Sequence, residues 1–188
     1  MGMPRCSVII PTRDRPELLV RTTLSALLNT PNDSEIIVVD DAGAAAASDA
    51  LAEIDDVRLR VITCDASGGY GGSPARNVGA QHARGAVLMF LDDDDELLPG
   101  YCDLLLGFIV PTGADFGFGL RQFQLTMADG KTISRLENRK LPDGFVPHNV
   151  HFKRKTFPFS AGFWIARDAY DTVGPLSESL TTNSDTEY

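Results

Sequence analysis

Cysteine is scarce and ungrouped. The three residues, Cys6, Cys64 and Cys102, form no CxxC pair and show no Cys/His metal spacing. That excludes a disulfide scaffold or a zinc module and points to reduced, mostly buried thiols in a cytosolic protein. Positive charge is also short: 17 Lys and Arg stand against 26 Asp and Glu, a net charge of −9. A non-specific nucleic-acid binder needs a basic surface to displace counterions from phosphates, so no nucleic-acid partner is expected. Long apolar runs are missing too. A bilayer span takes about 20 apolar residues, whereas the run from Leu104 to Val110 is interrupted by Gly107 and closed by Pro111. The run Val8 to Ile10 is too short for a signal peptide and stops at Pro11. Neither a GxGxxG turn after the first strand nor a GxxxxGK[ST] loop is present, so those two nucleotide folds are not supported. Asn32-Asp33-Ser34 fits a glycosylation sequon, but between Pro31 and a strand it reads as a turn.

What remains is an ordinary globular composition. Of 188 residues, 43% are hydrophobic and 23% charged, which excludes a disordered tail, a collagen-like fibre and a coiled-coil rod. The length fits one domain, at roughly 150 residues per domain.

Strand and helix signals alternate through the first half. Cys6–Pro11 and Glu35–Asp40 are unbroken apolar runs of the buried parallel-sheet kind, and Ala86–Leu91 is a third. Between them lie a helix over Arg15–Asn29, with Asp14 as N-cap and Pro16 in its first turn, and a weak helix over Ser48–Ile54. A more exposed strand is expected over Val57–Ile62 and a helix over Ser73–Arg84. This βαβ rhythm implies a parallel sheet with right-handed crossovers and helices on both faces. After Pro99 the pattern changes to a helix over Tyr101–Ile109, a strand over Asp115–Met127, a turn at Ala128-Asp129-Gly130 and a return strand over Lys131–Leu136. A long polar loop over Asn138–Pro158, a strand over Ala161–Ala166 and a short helix over Arg167–Val173 complete the reading.

Each buried strand ends in polar residues, where open α/β sheets place their ligand crevice. The first ends at Pro11-Thr12-Arg13-Asp14, the second at Asp40-Asp41, and the third at Asp92-Asp93-Asp94-Asp95 followed by Glu96. Five consecutive carboxylates repel one another and call for a cation. Oxygen ligands at i and i+2, Asp92 and Asp94, suit Mg²⁺ or Mn²⁺ completed by phosphate oxygens. The bland alternative is a solvated acidic turn. Asp40-Asp41 can hold a base N–H or a ribose hydroxyl, or can cap the next segment. Arg76 opens a helix after a glycine-rich loop, Gly68 to Gly72, where it can meet a phosphate or pair with one of the acids. Asp185 and Glu187, near the end, have the chemistry of a general base. Lys153-Arg154-Lys155, beside His148 and His151, reads as a solvated face, with attraction of an anionic lipid or phosphorylated acceptor as the alternative.

Taken in order, Ser7-Val-Ile-Ile-Pro-Thr12, Glu35 to Asp41, Ala75-Arg-Asn-Val-Gly79, Phe90 to Asp95, Phe163-Trp-Ile-Ala-Arg167 and Ser184-Asp-Thr-Glu187 resemble the family 2 glycosyltransferases. The resemblance covers nearly the whole chain. It implies the GT-A fold: a Rossmann-like α/β domain, mostly parallel, helices on both faces, with a small mixed β region in the second half. Residues 1–98 would form the nucleotide-binding half and 99–188 the acceptor-side half. It implies inverting transfer of a sugar from a nucleotide diphosphate donor, UDP being the favoured nucleotide, to a glycan or lipid-linked acceptor, with Mn²⁺ or Mg²⁺. Asp41 matches the base-contacting acid, and Pro11, Thr12 and Arg13 lie in the loop beside the nucleoside. Arg76 matches an arginine near the base or diphosphate. Asp92 and Asp94 match the DxD motif, with Asp93 between them; the resemblance implies Asp94 as the direct metal ligand and Asp92 nearer the ribose or in the metal shell. Asp185 matches the family's catalytic base, although Ser184 stands where Glu is common. A cytoplasmic protein with peripheral contact at the inner membrane face is the expected setting, and self-association is left open. The family runs on beyond the base motif while this sequence stops at Tyr188. A donor-binding module acting with a partner is therefore the alternative. A phosphoacceptor receiver domain would place its acid pair after the first strand, and a sugar-phosphate nucleotidyltransferase would carry GxGxR there; neither pattern is present.

Overall fold

The computed structural model describes residues 5–64, 72–119, 122–127, 129–136 and 162–178. The elements in chain order are β1 (Cys6–Thr12), α1 (Pro16–Asn29), β2 (Glu35–Asp40), α2 (Ala47–Ala50), β3 (Leu59–Thr63), α3 (Gly72–His82), β4 (Val87–Phe90), α4 (Tyr101–Thr112), β5 (Phe116–Phe118), β6 (Gln122–Thr126), β7 (Thr132–Leu136), β8 (Phe163–Ala166) and α5 (Arg167–Val173). The expected loop over Asn138–Pro158, the basic cluster and Asp185 lie outside the described residues.

Six strands form one sheet in the order β3-β2-β1-β4-β8-β5. The first four are parallel, and β8 runs antiparallel to β4, pairing Val87 with Ala166 and Met89 with Trp164. The second-half strands therefore extend the main sheet. Among the described strands, only β6 and β7 stand apart, as a two-stranded hairpin.

The unbroken apolar strands follow from burial on both faces. Alternate side chains point to opposite sides of a strand. Val8, Ile10, Ile36, Val38 and Met89 pack with Leu19 and Ala26 of α1 and Leu106 and Ile109 of α4. Ile9, Ile37, Val39, Leu88 and Phe90 pack with Ala75 and Ala80 of α3, and with Phe163, Ile165 and Tyr170. Gly79 lets α3 lie directly on the sheet. A Cβ there would overlap Ile9 Cγ2 and stand 3.1 Å from Val39 Cγ2.

Several local expectations change. Asp14 does not cap α1: Arg15 occupies the N-cap without a side-chain hydrogen bond. Asp14 has a positive φ of 56° and its carboxylate accepts the Ala45 N–H at 2.9 Å, so it secures the loop after β2 instead. The weak second helix shrinks to a single turn. The strand expected over Asp115–Met127 is two strands in two different sheets. Helix α4 continues past Pro111, because a proline so near the end forfeits little before Gly113, at φ 61°, closes the helix on Ile109 O.

At the far edge of the sheet, Glu35 is buried at the start of β2. It accepts hydrogen bonds from Ser7 Oγ at 2.7 Å and from the Arg84 backbone N–H, with Arg60 and Arg84 guanidinium groups at 3.2 and 3.1 Å. Burial alone would raise its pKa. The Arg84 N–H, Ser7 and the Arg84 side chain outweigh that and hold the carboxyl below its ordinary value.

Candidate functional site

The sheet opens at its carboxyl edge. β1 and β2 stay paired as far as Thr12 and Asp40, but the β1–β4 pairing ends at Ile9 and Phe90. By the alternation of the ladder, the N–H that Pro11 lacks lies on the β4 side, where no partner is needed. The Asp41 N–H bonds Thr12 O at 2.9 Å, holding the first two strand ends together while the chain after β4 turns away.

The resulting cleft measures about 490 Å³. Pro11, Thr12, Arg13, Asp41, Arg76, Asp92, Asp93 and Asp94 all line it, with Arg15, Gly72 and Ala75. Every described residue that the family resemblance assigns to the site is thus in one place. Three guanidinium groups face four carboxylates there, a formal charge of −1.

The acid run is held by α1 and α3. Thr12 Oγ1 donates to Asp93 Oδ2 at 2.8 Å, and Arg15 Nη1 reaches Asp93 Oδ1 at 3.1 Å and Asp94 Oδ2 at 3.3 Å. Thr22 Oγ1 lies 2.8 Å from the carbonyl oxygens of both Asp93 and Asp95. Arg21 pairs with Glu96 at 2.8 Å and donates to Asp94 O at 3.2 Å. Arg76 Nη2 meets Asp92 Oδ1 at 2.6 Å. Guanidinium groups, rather than a metal alone, therefore offset the repulsion expected of five neighbouring acids. Asp93 is buried beneath Thr12 and Arg15, while Asp94 is half exposed at the cleft surface.

Asp40 and Asp41 divide the two roles considered for the pair. Asp40 Oδ2 accepts the Ala47 N–H at 2.8 Å and its Oδ1 the Gly43 N–H at 3.3 Å, so it caps α2. Asp41 lines the cleft with Arg13 Nη1 at 4.0 Å. Arg15 escaped the sequence reading. Its only signal was its place two residues before Glu17 at a helix start, which does not distinguish a cleft residue from a surface one.

Among the described residues no group of three or more His, Cys, Asp or Glu side chains is arranged to hold a metal. The donor set nevertheless fits a hard cation bound by one or two carboxylates and completed by ligand oxygens, with Asp92 and Asp94 at the cleft. Arg76 Nε is buried and has no hydrogen-bond partner, an N–H beside the same cleft that an incoming oxygen would satisfy.

A mostly parallel sheet with acids and arginines at three adjacent strand ends, bordered by an antiparallel strand, is the GT-A architecture. Residues 7–174 match the model of glycosyl transferase family 2, and the chain belongs to that family. Among curated relatives it is 30% identical over 158 residues to the succinoglycan biosynthesis protein ExoO of Rhizobium meliloti, covering 80% of this chain and 44% of that protein. It is 35% identical over 106 residues to the GalNAc(5)-diNAcBac-PP-undecaprenol beta-1,3-glucosyltransferase of Campylobacter jejuni, covering 55% of this chain and 34% of that one. The chain thus spans less than half the length of these relatives. In fold it is similar to S. aureus TarS 1-349, solved in complex with UDP, with a TM-score of 0.70 at 17% identity over 96% of this chain and 52% of that one. The same protein in complex with UDP-GlcNAc gives 0.70 at 18% identity.

Proposed function

We propose that the chain carries the donor-binding machinery of an inverting, metal-dependent glycosyltransferase that uses a nucleotide diphosphate sugar, with UDP as the favoured nucleotide. The observation that carries the reading is the meeting of Asp41, Arg76, Asp92 and Asp94, from separate strand ends and α3, around one cleft.

In this reading Asp41 accepts an N–H of the base, with Pro11, Thr12 and Arg13 beside the nucleoside. Arg76, with its unsatisfied Nε, takes a diphosphate oxygen. The cleft is already anionic, so a diphosphate brings charge that three arginines do not balance. Asp92 and Asp94 would hold Mg²⁺ or Mn²⁺, which when bound neutralises charge growing on the departing diphosphate. Arg15 would then be released from the acids it bridges. Asp185, outside the described residues, would take the proton of the acceptor hydroxyl on the face opposite the leaving group. The acceptor is a glycan or lipid-linked glycan, as the names of the relatives suggest. The buried thiols of Cys6 and Cys102, without a disulfide, support the cytoplasmic setting.

Titration calorimetry with UDP, GDP and dTDP sugars, each with and without Mn²⁺, tests the donor half. One nucleotide should bind in a Mn²⁺-dependent way, and Asp94→Asn should weaken that binding at least tenfold. Metal-independent binding of every donor would defeat the reading. Asp185→Asn should abolish transfer while donor affinity stays within about twofold, a general base being worth roughly 10²–10⁴ in rate. Equal turnover by this variant and the parent would remove the base assignment.

A further inference from the structure

Two arginines meet the acid run, and their contacts differ in kind. Arg76 Nη2 holds Asp92 Oδ1 at 2.6 Å, with the arginine side chain only 11% exposed. Arg15 spreads a single nitrogen, Nη1, over two carboxylates, Asp93 Oδ1 at 3.1 Å and Asp94 Oδ2 at 3.3 Å. Its side chain is 52% exposed, as is that of Asp94. A guanidinium binds best when two of its nitrogens fork onto one carboxylate. Here one nitrogen stands between two acids, as a point charge would, at the long end of the hydrogen-bond range. Ion pairs this exposed are worth up to about fivefold each. Arg76 is therefore fixed and Arg15 is easily displaced.

The acids survive its departure unequally. Asp93 is buried and keeps Thr12 Oγ1 on its other carboxylate oxygen at 2.8 Å, with Thr22 Oγ1 2.8 Å from its carbonyl oxygen. Asp94 lies at the cleft surface with Arg15 on it. A divalent cation seeking Asp94 therefore meets a guanidinium already in contact, and like charges that close repel. A diphosphate changes the balance, because its oxygens offer Arg15 a charge-assisted partner within the same cleft. We propose that Arg15 is a displaceable internal counter-ion of the donor site. It holds the place of a divalent cation between Asp93 and Asp94, and cedes it when a phosphate oxygen takes over its guanidinium. The inference rests on the donor-site reading and adds to it a coupling: metal and diphosphate each raise the affinity for the other, in part through Arg15.

The test measures two affinities that should move in opposite directions. Electron paramagnetic resonance reads the binding of Mn²⁺ alone, and calorimetry reads the binding of UDP in saturating Mn²⁺. Arg15→Gln keeps an amide donor and removes the charge. It should bind Mn²⁺ alone about fivefold more tightly than the parent, the worth of an exposed ion pair. It should bind UDP about tenfold more weakly, having lost a charge-assisted bond to phosphate. Arg15→Lys restores the charge and should return Mn²⁺ affinity to within about twofold of the parent. The half-exposed position tolerates both changes, and circular dichroism verifies that the fold is kept. An arginine that merely braces the acid run would, when replaced, weaken both ligands together. That outcome, an unchanged Mn²⁺ affinity in Arg15→Gln, or tight Mn²⁺ binding retained by Arg15→Lys would overturn the proposal and leave the donor-site reading standing. A parent protein that binds no UDP with Mn²⁺ would defeat the donor-site reading and this inference with it.

Discussion

Gly79→Ala offers a test in which two physical effects predict opposite signs. Gly79 lies inside α3, where alanine is favoured over glycine by about 1 kcal/mol on helix propensity alone. If α3 merely lay near the sheet, the substitution would stabilise the protein. In the structure the added methyl overlaps Ile9 Cγ2 and crowds Val39 Cγ2. Both partners are fully buried and β-branched, so neither can rotate away. Overpacking of this kind costs about 1–3 kcal/mol, and stiff partners favour the upper end. Subtracting the propensity gain leaves a net loss of about 2 kcal/mol. Equilibrium unfolding in urea reads this as a lower midpoint at unchanged slope. The assignment to Ile9 can be checked with a double-mutant cycle. Ile9→Ala alone should cost about 2–5 kcal/mol, and the double variant should cost less than the sum by about 2 kcal/mol, because the overlap is gone. A stabilised Gly79→Ala, or strict additivity with Ile9→Ala, would refute the packing argument and with it the placement of Arg76 by direct helix-on-sheet contact.

Two further outcomes concern residues away from the cleft. Glu35 has a depressed pKa in the folded chain, so its contribution is present above its ordinary value near 4.5 and is lost as pH falls through the folded value. Glu35→Gln should therefore cost about 1–3 kcal/mol near pH 7, mostly from the buried Ser7 and Arg84 N–H bonds, and the gap to the parent should close in acid. A pH-independent difference between the two unfolding curves would contradict this. Asn77 is buried in α3 and clamps the segment after α5, donating to Leu176 O and Glu178 Oε1 at 2.9 Å and accepting the Leu176 N–H at 2.9 Å. Asn77→Ala strands that buried N–H and carbonyl and should cost about 2–4 kcal/mol by urea unfolding; a loss under about 0.5 kcal/mol, ordinary for a surface change, would show the clamp is dispensable.

Where the sequence was legible, the cause was local. Glu35–Asp40 is an apolar run between polar breakers, and its limits emerge as read. Arg167–Val173 likewise forms the expected helix, stopped by Gly174 at φ 89°. The cleft was legible because parallel strands must deliver their ends to one edge. The misread stretch was Asp115–Met127. Phe116 and Phe118 alternate on even positions and Phe123 and Leu125 on odd ones; the change of phase marks a break, but alternation says nothing of which sheet a strand joins. Gly117 is needed against the Trp164 ring, where a Cβ would lie 2.6 Å from Cζ2, and that contact across 47 positions leaves no local trace. Arg15 and Thr22 were missed for a similar reason. Their partners, Asp93 to Asp95, lie over 70 residues away, and only the packing of α1 beside β4 brings them together.

The Glu35 network has a consequence for altering specificity. It anchors the start of β2 to β1 through Ser7 and to the approach of β4 through Arg84, at the edge remote from the cleft. Strand alignment is thereby fixed without help from the cleft. Exchanging cleft residues such as Arg13 should leave the sheet in register, which makes the cleft end of the molecule a tolerant platform for redesign.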